Sequence, residues 1–253
     1  MSAPDRHARP DAPVNPRGVL DDRSQTPRMF SSIARRYDFL NHALSFNADR
    51  RWRRLLVASA AVKPGERVLD VATGTGDVAL EFARRTRAAR IAGLDPSSGM
   101  LDVGREKLAR ANGAPIDLVE GDALALPFAD ASFDVVTIAF GLRNLPDYAR
   151  GIGEMTRVLR PGGRLVVLEF LPPSGATRLV FRSYIATVLP VIGRAISGSP
   201  EAYAYLASSI REFIPAESVR SLMDGAGLAD ITTRRLTAGV AGLHRGVKRE
   251  CTA

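Results

Sequence analysis

Cysteine is nearly absent from this chain: Cys251 is the only one in 253 residues. A single thiol excludes an intramolecular disulfide and a cysteine metal cluster, and it fits a reducing cytoplasm. No metal site is expected. Lysine is almost as scarce, with Lys63, Lys107 and Lys248 alone, so arginine carries the formal charge of +8. No nucleic-acid-binding motif accompanies that charge; it reads either as compositional bias or as affinity for an anionic membrane surface, with no role for nucleic acid. Long apolar runs are missing too. The nearest, 179–196, is interrupted by Arg182, Pro190 and Arg194, so it reads as helix packed on the domain and not as a bilayer span. Residues 1–28 mix Asp, Arg and Pro without an apolar core, which predicts a disordered tail and no signal peptide.

What is present is the composition of one α/β domain, 45% hydrophobic and 25% charged, over 29–253. Its centre is RVLDVATGTGD at 67–77, a buried strand that ends in a carboxylate and empties into a glycine turn before a helix. Bare backbone at a helix N-terminus lets a ligand's polar atoms approach free N–H groups. Gly74, Gly76 and Ala79 also fit the G-x-G-x-x-A spacing of a dinucleotide fingerprint, so the turn alone leaves the nucleotide open.

The segments around it alternate. Residues 29–62 read as a helical entry segment, with Phe30, Ile33, Tyr37, Leu40 and Leu44 on one face and a second helix carrying Trp52, Leu55 and Leu56 among solvated arginines. Tyr37, Asp38, Asn41 and Ser45 are polar groups along that helix that need partners. The second strand ends in Asp95, about twenty positions past the glycine turn, where a carboxylate can accept from both ribose hydroxyls of a nucleotide; Pro96 and two serines then open a helix. After the third strand, Asp122 and Ala123 suit an adenine, with an acceptor for its amine and an apolar floor for its ring; the lesser alternative for Asp122 is an ordinary turn or helix-capping aspartate. FDVVTIAF, 133–140, is a central strand leading into GLRNL, which sets Arg143 and Asn144 at a strand end where open α/β sheets hold their chemistry. A helix follows, closed by Pro161, Gly162 and Gly163, and then a strand at 164–169. Residues 171–214 suspend the alternation; they read as a helical insertion, either plain or a lid for an apolar substrate. The last two runs, 228–236 and 239–247, are joined too tightly for a crossover, so the final strand pairs antiparallel.

This order resembles the class I S-adenosylmethionine-dependent methyltransferases, an α/β Rossmann-like fold with a seven-stranded, mostly parallel sheet, an antiparallel last strand and helices on both faces. YDFLN at 37–41 with Ser45 and Trp52, GLRNLPD at 141–147 and RVLRPGGRLVVLEF at 157–170 are similar to the ubiquinone/menaquinone biosynthesis C-methyltransferase family of UbiE type, over roughly 29–249. The resemblance implies methyl transfer from S-adenosylmethionine to a ring carbon of a reduced polyprenyl quinone, as in demethylmenaquinol to menaquinol. It implies cofactor contacts from Asp70, Thr73, the turn of Gly74, Thr75 and Gly76, from Asp95 and Pro96 at the ribose, Asp122 and Ala123 at the adenine, and Ala139. It implies catalytic roles for Arg143, Asn144, Tyr37 and Asp38. The chain departs from the family pattern at Asp49, where histidine is usual, at Leu171 and at Ala139, where serine is common. A polyprenyl substrate implies a cytoplasmic protein held peripherally at the inner membrane face; a homodimer is compatible with it. Two other classes share the glycine turn: an NAD(P)-dependent oxidoreductase, which lacks a tyrosine and lysine pair four apart here, and a non-catalytic membrane-associated scaffold.

Overall fold

The computed structural model describes residues 26–111, 116–172, 205 and 208–250. Two helices lead, α1 (Thr26–Leu44) and α2 (Ala48–Ala60), followed by β1 (Arg67–Val71), α3 (Asp77–Arg85), β2 (Arg90–Asp95), α4 (Ser98–Ala109), β3 (Ile116–Glu120) and β4 (Phe133–Ala139). The chain continues through α5 (Tyr148–Val158), β5 (Leu159–Phe170), α6 (Ala216–Gly225), β6 (Leu228–Leu236) and β7 (Ala241–Lys248). The seven strands form one sheet in the order β3-β2-β1-β4-β5-β7-β6, parallel except for β7, which pairs antiparallel with both β5 and β6. The predicted antiparallel closure is therefore present, with the last strand inserted between two earlier ones.

Both faces are covered, as the near-continuous apolar strands require. On one face α2 and α3 bury Trp52, Leu56, Val78 and Phe82 against Val68, Val135 and Val166. On the other, α5 and α6 bury Ile152, Met155, Val219 and Met223 against Leu69, Val136, Leu165 and Val167. Caps fix two helix starts: the Ser97 side chain accepts from the Met100 amide ahead of α4, and Asp147 accepts from the Arg150 amide ahead of α5.

Three expectations shift. The first helix begins at Thr26, three residues inside the stretch assigned to the tail; Thr26 is itself buried, so the packed domain reaches further toward the N-terminus than composition suggested. Arg53, expected among solvated arginines, is buried, because Asp49 at 2.6 Å and Asp77 at 3.1 Å supply counter-charge inside the fold. The strand expected to begin at Arg164 begins at Leu159: Phe133 pairs with Leu159 and Val135 with Arg164, so 160–163 bulge out of the ladder and the chain returns to the sheet. Gly162 supplies the left-handed backbone (φ 73°) for that excursion. The tail over 1–25 and most of the expected lid, 173–204, lie outside the described residues, as does Cys251.

Candidate active site

The strand order reverses between β1 and β4, and the crevice outside their carboxyl ends is where such sheets bind ligands. Both strands leave it through left-handed, non-glycine backbone, Ala72 (φ 52°) after β1 and Phe140 (φ 56°) after β4. Such residues cost on the order of 1 kcal/mol or more and gather where a site is held in a set shape. Gly141 is required there, since a Cβ on it would lie 2.5 Å from that of Ala72.

The glycine turn follows β1. Gly74 and Gly76 have φ of 57° and 80°, and a Cβ built on buried Gly76 would meet nothing within 4 Å, leaving room beside bare backbone. Asp70 is buried and accepts from Thr73 Oγ1 (2.6 Å) and, from its register partner on the adjoining strand β4, from Thr137 Oγ1 (2.7 Å). Burial outweighs these bonds and raises its carboxyl to about 6. Asp95 also rises to about 6 through burial, although it accepts from the Gly74 amide (2.8 Å) and the Ser97 amide (2.9 Å). Two carboxyls that are costly to ionise unliganded therefore flank an open turn, an environment that a cationic, hydroxyl-bearing ligand relieves. Asp122 stands exposed and caps its own turn by accepting from the Leu124 amide (2.9 Å), with Ala123 buried beside it. Pro96 is exposed next to Asp95, and Ala139 is half-buried at the end of β4.

Arg143 sits in the short helical turn after β4 and is 3% exposed. Its Nη1 donates to Glu169 Oε1 at the end of β5 (2.9 Å) and to the Phe140 carbonyl (2.5 Å), while its amide donates to Glu169 Oε2 (3.1 Å). Burial alone would lower the pKa of the guanidinium, but the Glu169 carboxylate, with Tyr37 and Tyr205, leaves it raised; Arg143 remains a cation. Tyr37 of α1 lies within electrostatic reach of Arg143 and Asp95, and burial raises its phenol against the pull of Arg143 and a hydrogen bond to Asn41. It is therefore a neutral donor at working pH. The Asn144 carbonyl oxygen accepts from Tyr205 Oη (2.9 Å), and Phe30 packs edge-on against both Tyr37 and Tyr205.

Of the residues expected at the site, Tyr37, Arg143, Asn144, Asp70, Thr73, Asp95 and the glycine turn do converge at this end of the sheet. Two have different immediate partners from those expected. Asp38 is tied to Lys107 Nζ (2.7 Å) and Thr75 Oγ1 (2.6 Å), and Lys107 also reaches Thr75 (3.0 Å) and Asp77, so both side chains belong to a clasp between α1, the turn and α4. Glu169, Tyr205 and Lys107 were not expected to serve the site. Glu169 was visible only as a strand-ending carboxylate, and its use needs the β4 and β5 ends to be adjacent. Asp49, at the position of the family histidine, is buried among Arg53, His42 and Ser45 and anchors the start of α2. Among the described residues no group of three or more His, Cys, Asp or Glu is arranged to hold a metal.

A doubly covered seven-stranded sheet with β7 antiparallel between β5 and β6, an open glycine turn after β1 and an acid at the end of β2 is the arrangement of the class I S-adenosylmethionine-dependent methyltransferases. The chain belongs to the ubiE/COQ5 methyltransferase family, whose model matches residues 19–248. It is 51% identical over 219 residues to the demethylmenaquinone methyltransferase of Thermus thermophilus, covering 86% of this chain and 99% of the relative. The demethylmenaquinone methyltransferase of Deinococcus radiodurans is 50% identical over 236 residues, with 92% and 97% covered. A ubiquinone/menaquinone biosynthesis C-methyltransferase of Geobacter sulfurreducens is 49% identical, with 87% of each chain covered. Among solved structures, a methyltransferase from Thermotoga maritima superposes with TM-score 0.60 at 19% identity, covering 88% of this chain and 99% of that one. The [4+2]-cyclase SpnF superposes with TM-score 0.64 at 18% identity, covering 89% and 95%. A cyclase on this scaffold shows that the fold by itself does not name a reaction.

Proposed function

We propose that the chain methylates a ring carbon of a reduced polyprenyl quinone precursor, converting demethylmenaquinol to menaquinol, with S-adenosylmethionine as donor. The observation that carries this reading is the buried Arg143 cation, braced by Glu169, facing the Tyr37 phenol beside the glycine turn. The cofactor fits the residues present: the Gly74–Gly76 backbone beside the methionine end, Asp70 near its ammonium, Asp95 and Pro96 at the ribose, Asp122 and Ala123 at the adenine, and Thr73 and Ala139 lining the crevice. Bound there, it supplies a methyl group already activated by its sulfonium.

The protein's task is then to make the ring carbon nucleophilic and hold it in line. Loss of a quinol hydroxyl proton to water delocalises charge onto the neighbouring carbon, which takes the methyl group as the donor's C–S bond breaks; loss of the hydrogen on that carbon as a proton then restores the aromatic ring. Arg143 stabilises that oxyanion, and it cannot serve as the base because a guanidinium with a raised pKa keeps its proton. Asn144, oriented by Tyr205, and neutral Tyr37 orient the quinol oxygen or a relaying water. Asp38 acts one step back, through Thr75 and Lys107, by fixing the turn.

The polyprenyl tail sets the place of work at a membrane surface. No helix among the described residues is long and apolar enough to cross a membrane, so that association is peripheral in this reading. The test is methyl transfer from S-adenosylmethionine to chemically reduced demethylmenaquinone and, in parallel, to the ring-unmethylated ubiquinone precursor. Methylation of the first is expected, and turnover on neither would overturn the assignment.

A further inference from the structure

The outer side of the α1–α2 corner carries a feature that catalysis does not use. Phe39 is 62% exposed and Phe46 77%, the large exposed apolar side chains of the described residues. Phe46 adopts left-handed backbone (φ 50°), as does Asn47 after it (φ 60°). A phenylalanine with that backbone and that exposure is costly twice over, where glycine or asparagine would close the corner at less cost.

The charge around these rings is of one sign. Between 28 and 54 the exposed charged side chains are Arg28, Arg35, Arg36, Arg50, Arg51 and Arg54. The carboxylates of this stretch turn inward: Asp38 pairs with Lys107 (2.7 Å), and Asp49 with Arg53 (2.6 Å) and His42 (2.7 Å). The nearest acids facing outward belong to α4, where Glu106 pairs with Arg35 (3.4 Å) and Asp102 with Arg105 (2.7 Å). The same helix that points Tyr37 at Arg143 turns Phe39 away, about 200° further round, so this surface is the back of the site's cover.

We propose that Phe39 and Phe46 dip into the headgroup region of an anionic lipid leaflet, with the arginines at 28, 35, 36, 50, 51 and 54 seated on its phosphates. The occupant is a bilayer because two exposed aromatic side chains on a segment with six exposed arginines, against which the facing helix sets one exposed acid, Glu106 on Arg35, complement an apolar layer beneath a negative surface. Arg53 takes no part, being spent inside the fold. The idea rests on the polyprenyl-quinol reading for its purpose, but binding is measured apart from it.

Wild type should co-sediment with phosphatidylglycerol-containing vesicles at about 0.1 M salt and far less with pure phosphatidylcholine. F39S/F46S should weaken binding about tenfold or more. R50Q/R51Q/R54Q should weaken it about a hundredfold and roughly halve its salt dependence, since three of the six arginines remain. Both variants should keep wild-type turnover on a tail-less, water-soluble quinol and lose it on tailed quinol embedded in vesicles. Unchanged vesicle binding in either variant overturns the proposal. So does a dimer that F39S/F46S converts to monomer with vesicle binding intact, which would make this face an interface between copies. Failure of wild type on the tail-less quinol would instead strike the assigned reaction and leave vesicle binding to be judged separately.

Discussion

Arg143 and Glu169 are a buried ion pair whose two members fail differently when removed. Arg143→Ala deletes the group that stabilises the quinol oxyanion; turnover should fall about 100- to 1000-fold with S-adenosylmethionine affinity nearly unchanged, measured by initial rates and calorimetry. Near-normal turnover would take Arg143 out of the mechanism. Glu169→Gln leaves the guanidinium buried without its counter-charge. It should cost about 3 to 5 kcal/mol of stability, read by urea unfolding, before any question of activity arises. At this scale the sequence was informative about residue type and blind to partnership. The spacing of GLRN set Arg143 at a strand end, but its brace lies 26 positions away, and only the adjacency of β4 and β5 brings Glu169 to it. Tyr205 is further still, in a segment whose alternation of strand and helix had lapsed.

Among the elements, α1 is the one that polar contacts hold in place. Ser31 meets Ser97 (2.7 Å), Arg35 meets Glu106, and Asp38 meets Lys107 and Thr75, so the helix lies on α4 and the glycine turn through groups that water can replace. Such docking opens more readily than apolar packing. Lys107→Met should leave Asp38 with Thr75 and Asp77 with Arg53 as the partners that remain, loosening α1 from α4. Amide exchange over α1 is expected to quicken with little change in β1 and β4, and S-adenosylmethionine affinity to fall about tenfold; uniform exchange would show that α1 is fastened elsewhere. Element existence was legible from periodicity, and ends were less so. Thr26 extends α1 because its own burial supports another turn, which no composition shift announces. The bulge in β5 hid behind Pro161, Gly162 and Gly163, residues that usually close one element and here loop out of the strand they belong to.

For the whole molecule, charge placement couples folding to the ligand. Asp70 and Asp95, raised by burial to about 6 from 3.8, stabilise the unliganded fold fully below the lower value, and lose that contribution as pH rises through the upper one. Each costs on the order of 3 kcal/mol when ionised near neutrality without a ligand. His244, buried and lowered by that burial to about 4, works the other way: its contribution is present above 6.5 and fades as pH falls toward 4. His244 offsets one of the two carboxyls, so the unliganded protein should lose stability only gradually as pH rises between about 4 and 6. Binding of a cation that favours both carboxylates should run the other way. S-adenosylmethionine is expected to raise Tm more at pH 7.5 than at pH 5.5, and Asp95→Asn should shrink that difference; a larger shift at the lower pH would contradict the roles given to these acids. The hydrogen bonds around these carboxyls could not be read from the chain, since they depend on β4 and the glycine turn lying beside them, whereas the sheet's antiparallel end was legible from the length of one loop.

The most direct measurement uses S-adenosylmethionine carrying a trideuteromethyl group, with demethylmenaquinone supplied either reduced or oxidised and the products analysed by mass spectrometry. Stabilisation of a quinol oxyanion by Arg143 predicts one trideuteromethyl group bonded to the ring carbon of the reduced substrate, none on the oxidised one, and loss of the labelled product in Arg143→Ala. Label on an oxygen, or equal labelling of both redox forms, would contradict it.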